Sequence, residues 1–73
     1  MIRFDFSELR ARIIVLYGTY RDFAVALGIS PSTLSNYLQC KRYIPHDTLV
    51  RMVQLLLIPD SKVDRYFFRR LES

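Results

Sequence analysis

The sequence predicts an all-α fold, a single domain built as a compact bundle of about five short helices. The chain has 73 residues, of which 51% are hydrophobic and 25% charged, with two glycines and three prolines. This composition is typical of a folded globular domain. Apolar residues recur at spacings of three and four, and only residues 2–6 alternate with the period of a strand. We therefore expect residues 1–6 to form a short extended arm that precedes the helices.

The first helix is predicted over residues 8–17. Ser7 is the expected N-cap, because its hydroxyl can accept a hydrogen bond from a free amide of the first turn. Gly18 ends the helix as a left-handed C-terminal residue. The buried stripe of this helix consists of Leu9, Ile13 and Leu16.

The second and third helices are short and clearly bounded. Thr19 caps a helix over residues 20–27, and Gly28 stops it after about two turns. Ser30 then caps a third helix over residues 31–39, with a proline at its first position, where the missing amide costs nothing.

The last two helices follow a loop over residues 40–45. Either His46 or Asp47 caps a fourth helix, which continues to Leu57. A proline closes that segment, and a fifth, C-terminal helix is predicted over residues 60–71.

The spacing of residues 19–39 predicts a helix-turn-helix, the unit that places its second helix in the major groove of DNA. Ala24 is small enough for the two helices to cross closely, and Gly28 permits the positive φ of the turn. Ile29 fills the space between the helices, and Leu34 closes the core beneath them.

Residues 19–56 resemble the Cro/repressor-type helix-turn-helix family of phage and bacterial transcription regulators. The resemblance is carried by Thr19, by the run Leu27-Gly28-Ile29-Ser30-Pro31-Ser32-Thr33-Leu34-Ser35-Asn36, and by Lys41-Arg42 and Thr48-Leu49. It implies a lambda-repressor-like fold that binds double-stranded operator DNA as a homodimer and represses a phage or prophage genetic switch. The two ends of the chain also look like those of small early regulators of temperate phages.

The resemblance also implies which side chains contact DNA. The base-reading candidates are Pro31, Ser32, Thr33, Ser35 and Asn36, and the phosphate candidates are Tyr20, Lys41 and Arg42. Asn36 is the one base-reading candidate that can form a bidentate pair with adenine, which is worth about 1–3 kcal/mol. Three positions depart from the family pattern: Tyr20 replaces a common glutamine, Pro31 replaces a long polar reader, and Cys40 replaces the glycine that follows the third helix.

Charge and composition limit the other functions. Eleven Lys and Arg against seven Asp and Glu give a net charge of +4, which fits either nucleic-acid binding or a solvated basic surface. One cysteine and one histidine cannot make a disulfide or a zinc site, so we expect no metal, cofactor or small-molecule ligand. His46 beside Asp47 lacks a nucleophile, so we expect no enzyme activity. The absence of a long apolar run or signal peptide predicts no membrane association and a cytoplasmic location in a bacterial host cell.

A second hypothesis is a protein-binding modulator, or antirepressor, which keeps the helix-turn-helix fold but binds a partner repressor. It rests on the missing long base readers and on apolar side chains near the C-terminus that exceed what one short helix buries. These partner-interface candidates are Tyr66, Phe67, Phe68 and Leu71. Homodimerisation through the same residues is the simpler explanation of that surface.

Overall fold

The computed structural model describes residues 2–71 and confirms the all-helical fold. Within these residues five α-helices and one 3₁₀ turn are formed, and none of the helices has the length and apolar character needed to cross a membrane. The elements in chain order are α1 (Ser7–Tyr17), α2 (Tyr20–Leu27), α3 (Pro31–Leu38), α4 (His46–Leu55), the 3₁₀ turn (Asp60–Lys62) and α5 (Val63–Phe67).

The core lies around α2, which packs against α1, α3 and α4, while α5 packs against α1. Three residues of α2 are fully buried, which explains why this short helix is the centre of the bundle. The buried core residues are Phe6, Leu9, Ile13, Phe23, Ala24, Leu27, Leu34, Tyr37, Leu38, Met52, Leu56, Ile58 and Phe67.

The start of α1 differs from the prediction. Ser7 is the first helical residue and Phe6 occupies the N-cap position, so the prediction of a Ser7 cap is wrong. The Asp5 carboxylate instead accepts a hydrogen bond from the Ser7 amide at 3.0 Å. Gly18 ends the helix with a positive φ of +83°, but its ψ of −40° lies outside the left-handed region that was predicted. Leu16 is exposed rather than part of the buried stripe.

The ends of α2 and α3 follow the prediction closely. The Thr19 hydroxyl accepts a hydrogen bond from the Asp22 amide at 3.0 Å, and the Ser30 hydroxyl accepts one from the Thr33 amide at 3.1 Å. Gly28 has a φ of +83° in the left-handed region. Cys40, which stands where the resembled family has glycine, also has a positive φ, of 59°.

The last two helices are shorter than predicted. His46 is itself the first residue of α4, and neither it nor Asp47 is the N-cap, which is Pro45. The helix ends at Leu55, because Leu57 takes a positive φ of 54° that is incompatible with a continuing helix. The predicted helix over residues 60–71 is wrong at both ends, since it begins as a 3₁₀ turn and α5 stops at Phe67.

The two ends of the described chain pair with each other. Phe4 and Arg70 form an isolated antiparallel bridge, flanked by hydrogen bonds from the Asp5 amide to the Arg69 carbonyl at 2.7 Å and from the Leu71 amide to the Arg3 carbonyl at 3.0 Å. We call residues 2–6 and 68–71 the terminal clasp. Residues 2–6 of the predicted extended arm are therefore one half of this clasp, and residue 1 lies outside the described residues.

Candidate functional site

The turn between α2 and α3 is fixed by short backbone hydrogen bonds. The Ile29 amide donates to the Ala24 carbonyl at 3.0 Å, and the Gly28 amide donates to the same carbonyl at 2.9 Å. Ala24 is fully buried and Ile29 half-buried where α2 packs against α3. A Cβ at Gly28 would lie 3.5 Å from the Arg51 guanidinium, so the left-handed backbone rather than crowding requires glycine here.

The base-reading candidates all lie on α3, but two of their hydroxyls are already occupied. Pro31 and Ser32 are exposed, whereas Thr33, Ser35 and Asn36 are half-buried. The Thr33 hydroxyl hydrogen-bonds the Ser30 hydroxyl at 2.9 Å, and the Ser35 hydroxyl accepts from the Gln39 side-chain amide at 2.8 Å. Each of these hydroxyls therefore uses part of its hydrogen-bonding capacity internally, and the Ser35 hydroxyl, which only accepts, keeps its donor for a base or a partner group.

Gln39 belongs to the same surface and was missed from the sequence. It is exposed at the C-cap of α3, one helical turn beyond Ser35. Its carboxamide offers both a donor and an acceptor, so it is a second side chain on this element with the chemistry of Asn36. The spacing of four residues from Ser35 was the signal that could have identified it.

The phosphate candidates stand at the ends of α2 and α3. Tyr20 is the first residue of α2 and is exposed, and Lys41 and Arg42 are exposed just after α3. The Arg42 guanidinium carbon lies 5.8 Å from the centre of the Tyr37 ring, a cation–π distance.

Arg10 connects this surface to α1, which the sequence did not indicate. Its guanidinium donates to the Leu38 carbonyl at the end of α3 at 2.9 Å, and its carbon lies 5.9 Å from the centre of the Tyr20 ring. One cation thus contacts both the start of α2 and the end of α3, and its charge lies beside Tyr20, one of the predicted contact positions.

The C-terminal interface candidates divide into core and surface. Phe67 is 2% exposed, so its side chain belongs to the hydrophobic core and not to the exposed apolar surface on which the prediction placed it. Tyr66 is half-buried, while Phe68 and Leu71 are 48% and 51% exposed. Phe68 meets the Phe4 ring edge to face at 5.9 Å, so it is also part of the terminal clasp. Of the four candidates, Phe68 and Leu71 offer the most free apolar surface.

Two carboxylates near the clasp are held by neighbouring donors. The Arg65 guanidinium lies 2.8 Å from the Glu8 carboxylate, and this hydrogen bond lowers the pKa of Glu8 below its ordinary value. The backbone amide of Ser7 lowers the pKa of Asp5 in the same way. Within residues 2–71 no group of three His, Cys, Asp or Glu side chains could hold a metal ion.

Comparison with known proteins assigns the chain to a family. Residues 2–70 match the family described as "Protein of unknown function (DUF739)", and the chain belongs to this family. Among solved structures, it is similar to the solution structure of the modulator of repression (MOR) of the temperate bacteriophage TP901-1 from Lactococcus lactis. The identity is 32% over 89% of this chain and 88% of that chain, with a TM-score of 0.79. No curated protein matches the chain.

Proposed function

We propose that this chain is a small phage regulatory protein that modulates transcriptional repression by binding a partner repressor protein. The observation that carries the proposal is its likeness to MOR, which covers 89% of this chain with a TM-score of 0.79. This likeness covers most of the chain, whereas the resemblance to Cro-type regulators rests on residues 19–56.

The chemistry of α3 supports a protein contact. The helix carries no charged side chain, and the hydroxyls of Thr33 and Ser35 are hydrogen-bonded within the element and its cap. Direct base reading relies on long bidentate groups, which are restricted here to Asn36 and Gln39. The absence of charge on α3 is a feature that it shares with the buried cores of protein interfaces, which are depleted of charged residues.

DNA binding through α3 is the second candidate function. The exposure of Tyr20, Lys41 and Arg42 favours it, because phosphates would lie near these positions if α3 entered a major groove. This candidate predicts a homodimer on half-sites about 34 Å apart and an affinity that falls steeply with salt.

A gel-shift experiment separates the two functions. Labelled operator DNA is incubated with the chain alone, with the repressor encoded in the same phage region, and with both, at low and moderate salt. The proposal predicts that the chain alone does not shift the DNA, and that it changes the shift given by the repressor.

Two variants sharpen that experiment. Asn36→Ala removes a bidentate reader and Lys41→Ala removes an exposed cation. A shift by the chain alone that is lost in Asn36→Ala and weakened in Lys41→Ala would contradict the proposal and establish the DNA-binding candidate. A change in the repressor's shift, without any shift by the chain alone, supports the proposal.

A further inference from the structure

An apolar pocket of about 250 Å³ opens beside the end of α3. Its floor is formed by the buried rings of Phe6 and Phe67, and its walls include Phe4, Cys40 and Ile44. The pocket therefore combines the N-terminal arm, the loop after α3 and the C-terminal end of α5, three segments that are distant in sequence.

The walls of the pocket are held in place by hydrogen bonds. The Ile2 amide donates to the Tyr43 hydroxyl at 3.0 Å, and the Cys40 sulfur lies 3.4 Å from both the amide nitrogen and the carbonyl oxygen of Phe4. On its other edge, the N-terminal arm is fixed by the hydrogen bond from the Asp5 amide to the Arg69 carbonyl.

The size of the pocket favours a single side chain as its occupant. Small-molecule sites usually have volumes of about 300–1,000 Å³, and a cavity of about 150 Å³ suffices for benzene. A pocket of about 250 Å³ lies between these limits. It matches one large apolar or aromatic side chain, the kind of anchor that dominates protein interfaces.

The rim of the pocket is apolar and positively charged. Ile2, Tyr43 and Phe68 are 45%, 55% and 48% exposed and lie together at its edge, so they form a contiguous apolar rim. Arg42 lines the opening. Arg70 is bridged to Phe4 across the clasp, so that the side chains of Arg70 and Phe4 lie on the same face of this pair.

The lining residues of the pocket include the cationic side chain of Arg42 and no acidic side chain. Of the two carboxylates in the adjoining segment, Glu8 is paired with Arg65, whereas Asp5 accepts from the neutral Ser7 amide and keeps its single negative charge. The electrostatic complement of the rim is therefore a segment that carries carboxylates.

We infer that this pocket receives one large aromatic side chain from an acidic segment of a partner protein. The inference deepens the proposed function and rests on it for the existence of a protein partner. A second copy of this chain is a poorer occupant, because its net charge of +4 repels the cationic rim.

The test uses a fluorescein-labelled synthetic peptide with one central Trp flanked on both sides by Glu, titrated with the full-length protein by fluorescence anisotropy. Two matched peptides replace the Trp by Ala or the Glu residues by Lys. We expect saturable binding of the first peptide and binding weaker by about tenfold or more for each of the other two.

Matched charge-reversal variants locate the contact. Arg42→Glu places a carboxylate at the rim and is expected to weaken binding by about tenfold, while Arg21→Glu makes the same change at an exposed position of α2, outside the pocket lining, and leaves the affinity close to that of the parent protein. Both positions are exposed, and circular dichroism checks that both variants are folded.

Several results would overturn the inference. The inference is wrong if the Trp peptide does not bind, or if the Ala or Lys peptide binds as tightly as the Trp peptide. It is also wrong if Arg42→Glu and Arg21→Glu lose the same affinity for the Trp peptide, or if free indole binds as tightly as that peptide. Self-association of the chain that is abolished by Phe68→Ala would assign the pocket to a second copy instead. Because no repressor is present, failure here leaves the gel-shift result unaffected, and the two proposals fail separately.

Discussion

The α2–α3 unit and the terminal clasp are stabilised by different kinds of interaction. In the unit, each defining hydrogen bond joins near neighbours, such as the Thr19 hydroxyl and the Asp22 amide, or the Ser30 hydroxyl and the Thr33 amide. In the clasp, the defining bonds join the two ends of the described chain, as between the Leu71 amide and the Arg3 carbonyl.

This difference separates the roles of the two regions. Local hydrogen bonds form at little cost in chain entropy, whereas pairing the ends of the chain depends on the fold that brings them together. The α2–α3 unit is therefore the rigid part of the candidate surface. The clasp forms one side of the apolar pocket, and we expect it to open more readily than the core.

The largest expected effect distinguishes the core residue Phe67 from its neighbour Phe68, which belongs to the clasp. Phe67→Ala removes a buried ring and is expected to lower the free energy of unfolding by about 3–5 kcal/mol, as buried Phe-to-Ala changes do. Phe68→Ala removes the neighbouring exposed ring and should cost about 1 kcal/mol or less. Urea denaturation measures both values. Equal losses would show that the boundary between core and clasp is misplaced.

A second variant breaks the turn of the α2–α3 unit. Gly28→Ala forces a Cβ into the left-handed region and should lower the free energy of unfolding by about 1–2 kcal/mol. Gly28→Asn is the matched variant, because asparagine tolerates this conformation, and it should recover part of the loss. A thermal unfolding series that ranks Asn below Ala would contradict the role assigned to the backbone.

A pair of serine variants tests whether local caps define the unit. Ser30→Ala removes the N-cap of α3 and is expected to cost about 1 kcal/mol. Ser7→Ala leaves α1 nearly unaffected, because Ser7 lies inside the helix rather than at its N-cap. Chemical denaturation under identical conditions compares the two. A larger loss for Ser7→Ala would reverse the assignment of the caps.

The smallest expected effect is the dependence of the unfolding free energy on pH that comes from the ion pair of Glu8 and Arg65. The hydrogen bond from Arg65 holds the folded-state pKa of Glu8 below its ordinary value of 4.5. The stabilisation is therefore present above pH 4.5 and is lost as the pH falls through the lower, folded-state pKa. Glu8→Gln should flatten this part of the curve of unfolding free energy against pH. An unchanged curve would mean that the ion pair does not form in solution.

The sequence was sufficient to predict the regions whose ends are set by neighbouring residues. Thr19, Gly28 and Ser30 bound α2 and α3 as expected, because capping and positive φ are properties of single positions. The prediction of the C-terminal helix was wrong because its end is set by a distant part of the chain. Helical spacing of apolar residues continues to Leu71, but pairing with the arm takes the backbone out of the helix after Phe67.

The candidate surfaces were predictable to different extents. Helical periodicity identified the outward face of α3, but it could not show that the Ser35 hydroxyl is bound to Gln39. The position of Arg10 depends on how α1 crosses the ends of the other two helices. The apolar pocket combines three distant segments, so its existence follows only from the tertiary fold.

The most direct test of the central claim is isothermal titration calorimetry of this chain against its partner repressor in the absence of DNA. The proposal predicts saturable heat with a defined stoichiometry, because the contact is between proteins. The absence of binding heat, together with salt-dependent binding of the chain alone to operator DNA, would contradict it.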